Sequence, residues 1–394
     1  MVSPLQLAYE PGRPQSQAEI YRALNAPLPK YVLGIGRRLA GFGPDSPPND
    51  WNWSESWQEN RAAGALPETR LLVGARTAST VLAWLAIFCV YFAAESLAGR
   101  LTGFAAALLY ASNALVLLHG RRAMAEGTLL FTTSAALLAG LYAHRRPLVG
   151  GIASGLASAT KQSALPLFAL NLIGSSGLFQ RERREQGLRL ALVSAGFLAV
   201  TIALTPFLWK YPLAAVARVI EARQQLLAEQ VLTTEAMAPA TVLTGWTRRW
   251  AGLVGGLYIG PLQFEEVGNY QRQLEDSIDS YLQKPWNRIG RGPVGSGAML
   301  GLTLLGAAAA LRGWLQPSPN QRPRLALLGT GSLLMAGLIW LANPLPYQRY
   351  YTPLIPFIVL WQAIGVATLA RAIRAVLDRA KPNANERPSN NSKV

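Results

Sequence analysis

The apolar residues of this chain are gathered into long blocks that short basic or polar segments separate. Most blocks approach the ~20 residues that a helix needs to cross a bilayer. Within a membrane, helices satisfy all of their own backbone hydrogen bonds. The pattern therefore predicts an all-α polytopic membrane protein. The apolar spans lie near residues 71–96, 101–118, 127–143, 147–173, 188–209, 293–311, 324–341 and 350–372.

The span 147–173 has a lysine, Lys161, at its middle. Basic segments flank this span on both sides, at 144–146 and 181–189, and basic loops favour the cytoplasm. A run with both ends on one side must enter and leave there, so we predict two short helices that meet near Lys161. With this split, the chain has about nine membrane-crossing helices, some of them short.

The arginines of the remaining loops assign each segment to one side of the membrane. Residues 1–70 lack an apolar segment that could export them, which a missing first membrane helix, from a late start codon or a truncated gene, would explain. We predict an external N-terminal loop with a juxtamembrane helix over 1–70, a transmembrane module over 71–209, an external loop domain over 210–292, C-terminal transmembrane helices over 293–380 and a disordered cytoplasmic tail over 381–394.

The external segment 210–292 shows helical periodicity. Leu213, Val216 and Ile220 recur on one face, while Arg218 and Arg223 take the other. This spacing predicts an amphipathic helix that lies along the membrane surface. External amphipathic helices thus accompany the membrane-crossing ones.

Composition and charge narrow the classes of function. Of the 394 residues, 51% are hydrophobic, and the formal net charge is +16. The basic residues lie in short segments between spans, so membrane orientation explains them better than nucleic acid does. A single cysteine, Cys89, and two histidines give little material for metal sites or catalytic triads. Soluble hydrolases and nucleotide enzymes are disfavoured because no glycine-rich or nucleophile-elbow motif occurs.

The most informative segment is residues 119–126, which carries Arg121, Arg122 and Glu126 between two apolar runs. Charge at a membrane face is costly and usually functional. The arginines could hold a lipid phosphate while the carboxylate orients or deprotonates an acceptor. Alternatively, Glu126 complements the positive end of the following helix, and the arginines extend to headgroups.

Three further cations are candidates for the same side of the membrane. Lys30 follows a rigid Pro-Leu-Pro turn, Lys161 lies at the tip of the split pair, and Arg349 lies in a proline- and tyrosine-rich loop. Each could contact a phosphate. Each could also be an ordinary interfacial residue that extends to the headgroups.

Four segments together resemble a known family, the polyprenol-phosphate-dependent glycosyltransferases of the protein O-mannosyltransferase and aminoarabinose transferase superfamily. The first resembles the family's lysine-bearing segment and the helix that follows it, the second resembles the family's second external loop, and the third resembles its later lysine segment. These three occur in family order and with family spacing. The fourth resembles the family's "R-Y-x-x-P-x-x-P" segment. The segments are NAPLPKYVLGIGRRLAG (25–41), HGRRAMAEGTLLF (119–131), GLASATKQSALPL (155–167) and PLPYQRYYTPLIP (344–356).

The resemblance implies a C-type membrane glycosyltransferase with a catalytic module over 71–209. Such an enzyme moves a sugar, as a mannosyltransferase does, from a dolichyl or undecaprenyl phosphate to a protein, lipid or glycan on the extracytoplasmic side of the cell membrane. Glu126 would then be a catalytic acid. Lys30, Arg121, Arg122, Lys161 and Arg349 would bind the substrate phosphate. The residues do not call for a particular cofactor. Binding of a divalent metal ion is left as an alternative.

The chain departs from the family in two places. The family's Asp-Glu pair, which follows its first membrane helix, has no counterpart, and Asn25-Ala26 replaces the expected His-Pro. An incomplete reading frame or an inactive copy would account for this. Two alternatives from other classes are a transporter or flippase of lipid-linked substrates and a non-catalytic protein that binds lipid-linked sugar.

Overall fold

The computed structural model describes residues 4–52, 55–177, 185–264, 271–312 and 317–380, and every regular element in these ranges is helical. The α-helices are α1 (Gln17–Leu24), α2 (Leu28–Leu39), α3 (Trp57–Ala62), α4 (Thr69–Ala98), α5 (Arg100–Ala111), α6 (Ala114–His119), α7 (Ala125–Leu141), α8 (Pro147–Thr160), α9 (Pro166–Ser175), α10 (Gln186–Leu204), α11 (Pro212–Met237), α12 (Trp246–Val254), α13 (Gln271–Leu282), α14 (Gly292–Leu311), α15 (Gln321–Ala342) and α16 (Ile355–Ala380). The predicted tail, 381–394, lies outside the described residues.

Within the residues that the structure describes, five helical segments are able to cross a membrane by their length and composition, and four of them are α4, α10, α14 and α15. The fifth runs from Gln348 to Arg379 and includes α16. The all-α membrane class is confirmed at this level, whereas nine crossings are not. The predicted span 101–118 is divided into α5 and α6, because the Asn113 side chain caps α6 by accepting hydrogen bonds from two backbone N–H groups.

The predicted break at Lys161 is confirmed. Helix α8 ends at Thr160, and α9 begins at Pro166. Helix α9 folds back along α8, since Asn171 lies against Gly150 and the Ser175 hydroxyl donates to the Ala143 carbonyl at 3.2 Å. The pair is thus a hairpin. At 1.5 Å per residue its two arms are about 21 Å and about 15 Å long, so neither arm can cross a hydrocarbon core of about 30 Å.

Glycines bring the central helices into backbone contact. Gly127 of α7 packs directly on Ser79 of α4, and the Ser79 hydroxyl donates to the Gly120 and Met124 carbonyls at 3.5 Å. This contact fixes the segment that leads into α7. Gly151 packs on the α10 backbone in the same way.

Helix α11 forms within the predicted external segment, and the apolar residues that define its predicted lipid face are open. Leu213, Val216 and Ile220 are exposed, as a face toward lipid requires. The opposite face lies against the protein. There the Arg218 guanidinium donates to the Gln15 amide at 2.8 Å, and Arg223 reaches residues of the bundle. Arg218 and Arg223 therefore make protein contacts, whereas Gln224 and Gln225 of the same helix are exposed.

The helix bundle has two chemically different ends. Helices α7 and α16 begin near the point where α8 ends, and we call this the site end. At the other end, Arg324 donates to the Ser96 carbonyl at 3.1 Å and lies over the Tyr142 ring at 4.4 Å. The basic segment 144–146 lies on the same side as these contacts.

A glycine contact between α14 and α16 generates a first prediction. A methyl group on Gly306 would overlap the Trp361 backbone, whereas one on Gly301, in the same helix, meets nothing within 4 Å. Overpacking of this kind costs about 1–3 kcal/mol. We expect Gly306→Ala to lower the midpoint of thermal unfolding in detergent, measured by a thiol-reactive dye that reports exposure of Cys89. Gly301→Ala is the control, and equal midpoints for the two variants would contradict the close crossing.

Candidate functional site

The site is built around a buried carboxylate at the beginning of α7. Glu126 is only 2% exposed. It lies in the first turn of α7, where the positive end of the helix favours an acid. A helix end alone does not compensate the cost of a buried charge, so the carboxylate needs a cation.

Lys161 supplies that cation. Its ammonium nitrogen lies 3.2 Å from Glu126 Oε1. The break after α8 makes this contact because Lys161 has an extended backbone and leaves the helix axis. One turn deeper, the hydroxyls of Thr132 and Thr160 lie 3.3 Å apart and join α7 to α8. The second carboxylate oxygen, Glu126 Oε2, is buried and has no hydrogen-bond partner within the described part of the chain.

A helical turn over Gln348–Leu354 brings the third component. Arg349 lies near enough to act electrostatically on both Glu126 and His119. The Tyr350 ring lies 5.2 Å from the Lys161 ammonium and 5.5 Å from the Arg349 guanidinium. Both distances are typical of cation–π contacts.

Reciprocal bonds hold this turn against the external segment. The backbone N–H of Gln263 donates to the Gln348 side chain at 2.9 Å, and the backbone N–H of Gln348 donates to the Gln263 side chain at 2.8 Å. The Gln348 amide also donates to the Pro261 carbonyl at 2.6 Å. The position of Arg349 therefore depends on a segment about 85 residues away in sequence.

Arg223 of α11 is the site residue that sequence reasoning missed. Its guanidinium donates to the Gln162 side chain at 3.0 Å, directly beside Lys161. Its charge also acts on Tyr350 and Arg349. The sequence places Arg223 on the polar face of an amphipathic helix, and that pattern carries no information about which residues the face contacts.

His119 lies beside the ion pair and is 2% exposed. Burial and, after it, the charge of Arg122 lower the pKa of His119 to about 3, although Glu126 opposes this shift. The imidazole is therefore neutral at physiological pH. Its Nε2 atom is buried without a hydrogen-bond partner among the described residues.

Arg121 and Arg122 bond to the external segment. The Arg121 guanidinium donates to the Asn287 side chain at 2.8 Å and to the Tyr281 hydroxyl at 3.2 Å. Arg122 donates to the Phe264 carbonyl at 2.6 Å. The Arg121 donors are thus directed to the Leu117 carbonyl and to residues 160 and 166 positions later, and no bond joins Arg121 to Glu126 or Arg349 within the described part of the chain.

Lys30 lies at the beginning of α2, which packs against α4, α7 and α8. The residue is exposed, and its ammonium lies over the Tyr21 ring at 4.7 Å. Lys30 therefore lies apart from the Glu126–Lys161 ion pair, and no hydrogen bond or ion pair joins them among the described residues. Of the predicted set, the structure thus brings together Glu126, Lys161 and Arg349.

A divalent metal does not fit beside Glu126. No three histidine, cysteine or carboxylate side chains lie together in the part of the chain that the structure describes. Besides the neutral His119, the neighbours of Glu126 are the cations Lys161 and Arg349, which repel a metal ion. The residues present favour an anionic ligand.

No protein-family model matches the chain, and no curated protein matches it. The chain is similar to solved structures of an oligosaccharyltransferase from Archaeoglobus fulgidus. With AglB in complex with an inhibitory peptide and a dolichol-phosphate, the TM-score is 0.46 at 14% identity, over 92% of this chain and 49% of that chain. With the complex that contains Zn and sulfate, the TM-score is 0.47 at 15% identity, over 91% and 48%. The chain spans about half the length of these structures.

The buried ion pair generates a second prediction. Removing one partner of such a pair leaves an uncompensated charge and costs about 3 kcal/mol. We expect Lys161→Met to lower the unfolding midpoint in detergent, and Glu126→Gln combined with Lys161→Met to recover most of the loss. A double variant as unstable as Lys161→Met alone would contradict the pairing.

The neutral His119 generates a third prediction. The unfolded chain binds a proton at His119 below the ordinary pKa of 6.5, whereas the folded protein does so only near 3. Stability is therefore lost as the pH falls through this window, by about 2 kcal/mol between pH 7 and pH 5. We expect denaturant titrations in micelles to show this loss in the wild type and a smaller loss in His119→Gln. The same acid dependence in both proteins would contradict the burial of a neutral imidazole.

Proposed function

We propose that the chain is a membrane glycosyltransferase, which moves a sugar from a polyprenyl phosphate donor to an acceptor hydroxyl or amine on the extracytoplasmic side. One observation carries this proposal. Glu126 is buried with one unpartnered oxygen, pairs with Lys161 and lies within the electrostatic reach of Arg349, while Arg223 bonds to Gln162, the residue after Lys161. This arrangement combines a base with a place for an anion.

The cations suit the phosphate of the donor. Three positive charges and one carboxylate leave a net charge of +2 in this cluster, which matches the dianion that the polyprenyl phosphate becomes when the sugar leaves. A sugar phosphate bond breaks more readily when the charge on the leaving phosphate is neutralised in advance. Arg349 and Arg223 are donors with fixed planar geometry, and Lys161 is a point charge.

Glu126 suits the acceptor. The acceptor oxygen or nitrogen forms a bond to the anomeric carbon of the sugar, and the bond from that carbon to the phosphate oxygen breaks. The acceptor proton passes to the Glu126 carboxylate, and polyprenyl phosphate leaves as the dianion. General base catalysis of this kind contributes about 10²–10⁴-fold to a rate.

The resemblance of four segments to the polyprenol-phosphate-dependent glycosyltransferases supports the same donor class. Three of those segments carry Glu126, Lys161 and Arg349, which lie together. Lys30, in the first segment, is proposed as a further phosphate contact at the beginning of α2. We propose further that the acceptor is a protein, a lipid or a glycan and that the sugar transferred is mannose.

The charge of the two bundle ends supports an extracytoplasmic site. Arg324 and the segment 144–146 lie at the end opposite Glu126, and basic residues favour the cytoplasmic face. The site end would then face outward. There the exposed apolar residues of α11 would rest on the outer leaflet.

For Arg121 and Arg122 we propose a positioning role. Their bonds to Asn287, Tyr281 and Phe264 hold the external segment beside the residues that lead into α7. Variants at these positions would act on Glu126 through the placement of that segment.

The fourth prediction tests the base. In membranes that contain the full chain and a radiolabelled polyprenyl phosphate sugar, we expect Glu126→Gln to lower the rate of sugar transfer by about 10²-fold or more. Glu95→Gln is the matched control. Glu95 lies near the C-terminal end of α4, at the bundle end opposite Glu126, and pairs with Arg100 at 3.6 Å. The control should transfer at the wild-type rate.

Undiminished transfer by Glu126→Gln would overturn the assignment of the base. Movement of the donor lipid across the bilayer without transfer by the wild type would favour a flippase. Donor binding with neither activity would favour a non-catalytic binding protein.

A further inference from the structure

Lys161 occupies the carboxylate that the proposed reaction needs. Its ammonium is paired with Glu126 Oε1 at 3.2 Å, and a paired carboxylate is a weaker base than a free one. The same ammonium is one of the cations suited to phosphate. When a donor binds, its phosphate and the Glu126 carboxylate therefore compete for the Lys161 ammonium.

We infer that Lys161 is a donor-operated latch: without donor it holds Glu126, and a bound lipid phosphate draws the ammonium away and leaves Glu126 free to accept the acceptor proton. This inference rests on the proposed function. It adds an order of events to it, with donor before acceptor.

The exposure of the two side chains supports this order. The Lys161 side chain is 19% exposed, whereas that of Glu126 is 3% exposed. A phosphate that enters from the site end thus reaches the ammonium before the carboxylate. The approaching phosphate would compete with Glu126 for the Lys161 ammonium, and the Glu126 side chain would not have to move.

The position of Lys161 in the chain permits the exchange. It lies after the last turn of α8 in an extended conformation, and a short helical turn over Gln162–Ala164 follows. Besides Glu126, its ammonium contacts the face of the Tyr350 ring at 5.2 Å. Rotation about the lysine side chain can therefore change its partner while the backbone stays in place.

The neighbouring arginines favour the phosphate over the carboxylate. Arg223 is held beside Lys161 by its bond to Gln162, and Arg349 lies on the other side near Tyr350. The donor phosphate is a diester with a single negative charge, but the two arginines hold it where the Lys161 ammonium can also donate to it, and such charge-assisted bonds are strong. Glu126 then loses its cation within a buried site, and a carboxylate in that position binds a proton more readily.

The latch has a chemical consequence for the proposed reaction. The carboxylate would become an active base only when a donor phosphate is present. An acceptor that entered an empty site would find Glu126 still paired. The exchange thus couples recognition of the lipid phosphate to activation of the acceptor.

Covalent trapping of the ion pair tests the latch. In vesicles that contain the full chain, dicyclohexylcarbodiimide activates the Glu126 carboxylate, and the Lys161 amine attacks it to form an amide, with one carboxylate oxygen leaving in dicyclohexylurea. Mass spectrometry of the digested protein measures the yield of the linked peptides. Undecaprenyl phosphate is the probe, and uncharged undecaprenol is the matched control.

We expect undecaprenyl phosphate to lower the yield of the Glu126–Lys161 amide by about tenfold, equivalent to a contact of about 1.4 kcal/mol, and undecaprenol to leave it unchanged. Lys161→Arg should form no amide and sets the background. Equal yields with the two lipids would overturn the latch.

Sugar transfer, measured on the same vesicles, separates this inference from the proposed function. Transfer with an unchanged amide yield overturns the latch and leaves the glycosyltransferase assignment intact. A lowered yield without transfer supports the exchange and overturns the assignment as an enzyme. An unchanged yield without transfer overturns both.

Discussion

The burial of one carboxylate at the head of a membrane helix is the constraint on which the site depends. Glu126 cannot be charged and buried without a cation beside it, and Lys161 meets this need at 3.2 Å. The interruption between α8 and α9 makes this contact possible, because Lys161 has an extended backbone and leaves the α8 axis. The ion pair thus accompanies the division of an otherwise apolar run into a hairpin.

Close helix packing makes this geometry rigid. Gly127 lets α7 touch Ser79 of α4, and the Ser79 hydroxyl holds the two carbonyls that precede α7. Thr132 and Thr160 then fix the spacing between α7 and α8 one turn deeper. An apolar frame with few polar links therefore positions a small charged cluster, which is how membrane proteins commonly use ionisable residues.

The sequence predicts the local features of the fold well. The length of the apolar blocks leads to helices, and the lysine inside 147–173 leads to a break, both of which the structure contains. It predicts the site only in part, because the remaining features depend on contacts between distant residues. Arg121 bonds to Tyr281 across 160 positions, and Arg223 reaches Gln162 across 61. Periodicity indicates that such a side chain is polar but not which partner it meets.

The central claim, that Lys161, Arg349 and Arg223 form the phosphate site above Glu126, is tested most directly by electron cryomicroscopy of the protein in nanodiscs with undecaprenyl phosphate. Our account predicts phosphate density within hydrogen-bonding distance of these three side chains, on the side of Lys161 that faces away from the bundle. Phosphate density at the opposite end of the bundle, or an empty site end at saturating lipid, would contradict it.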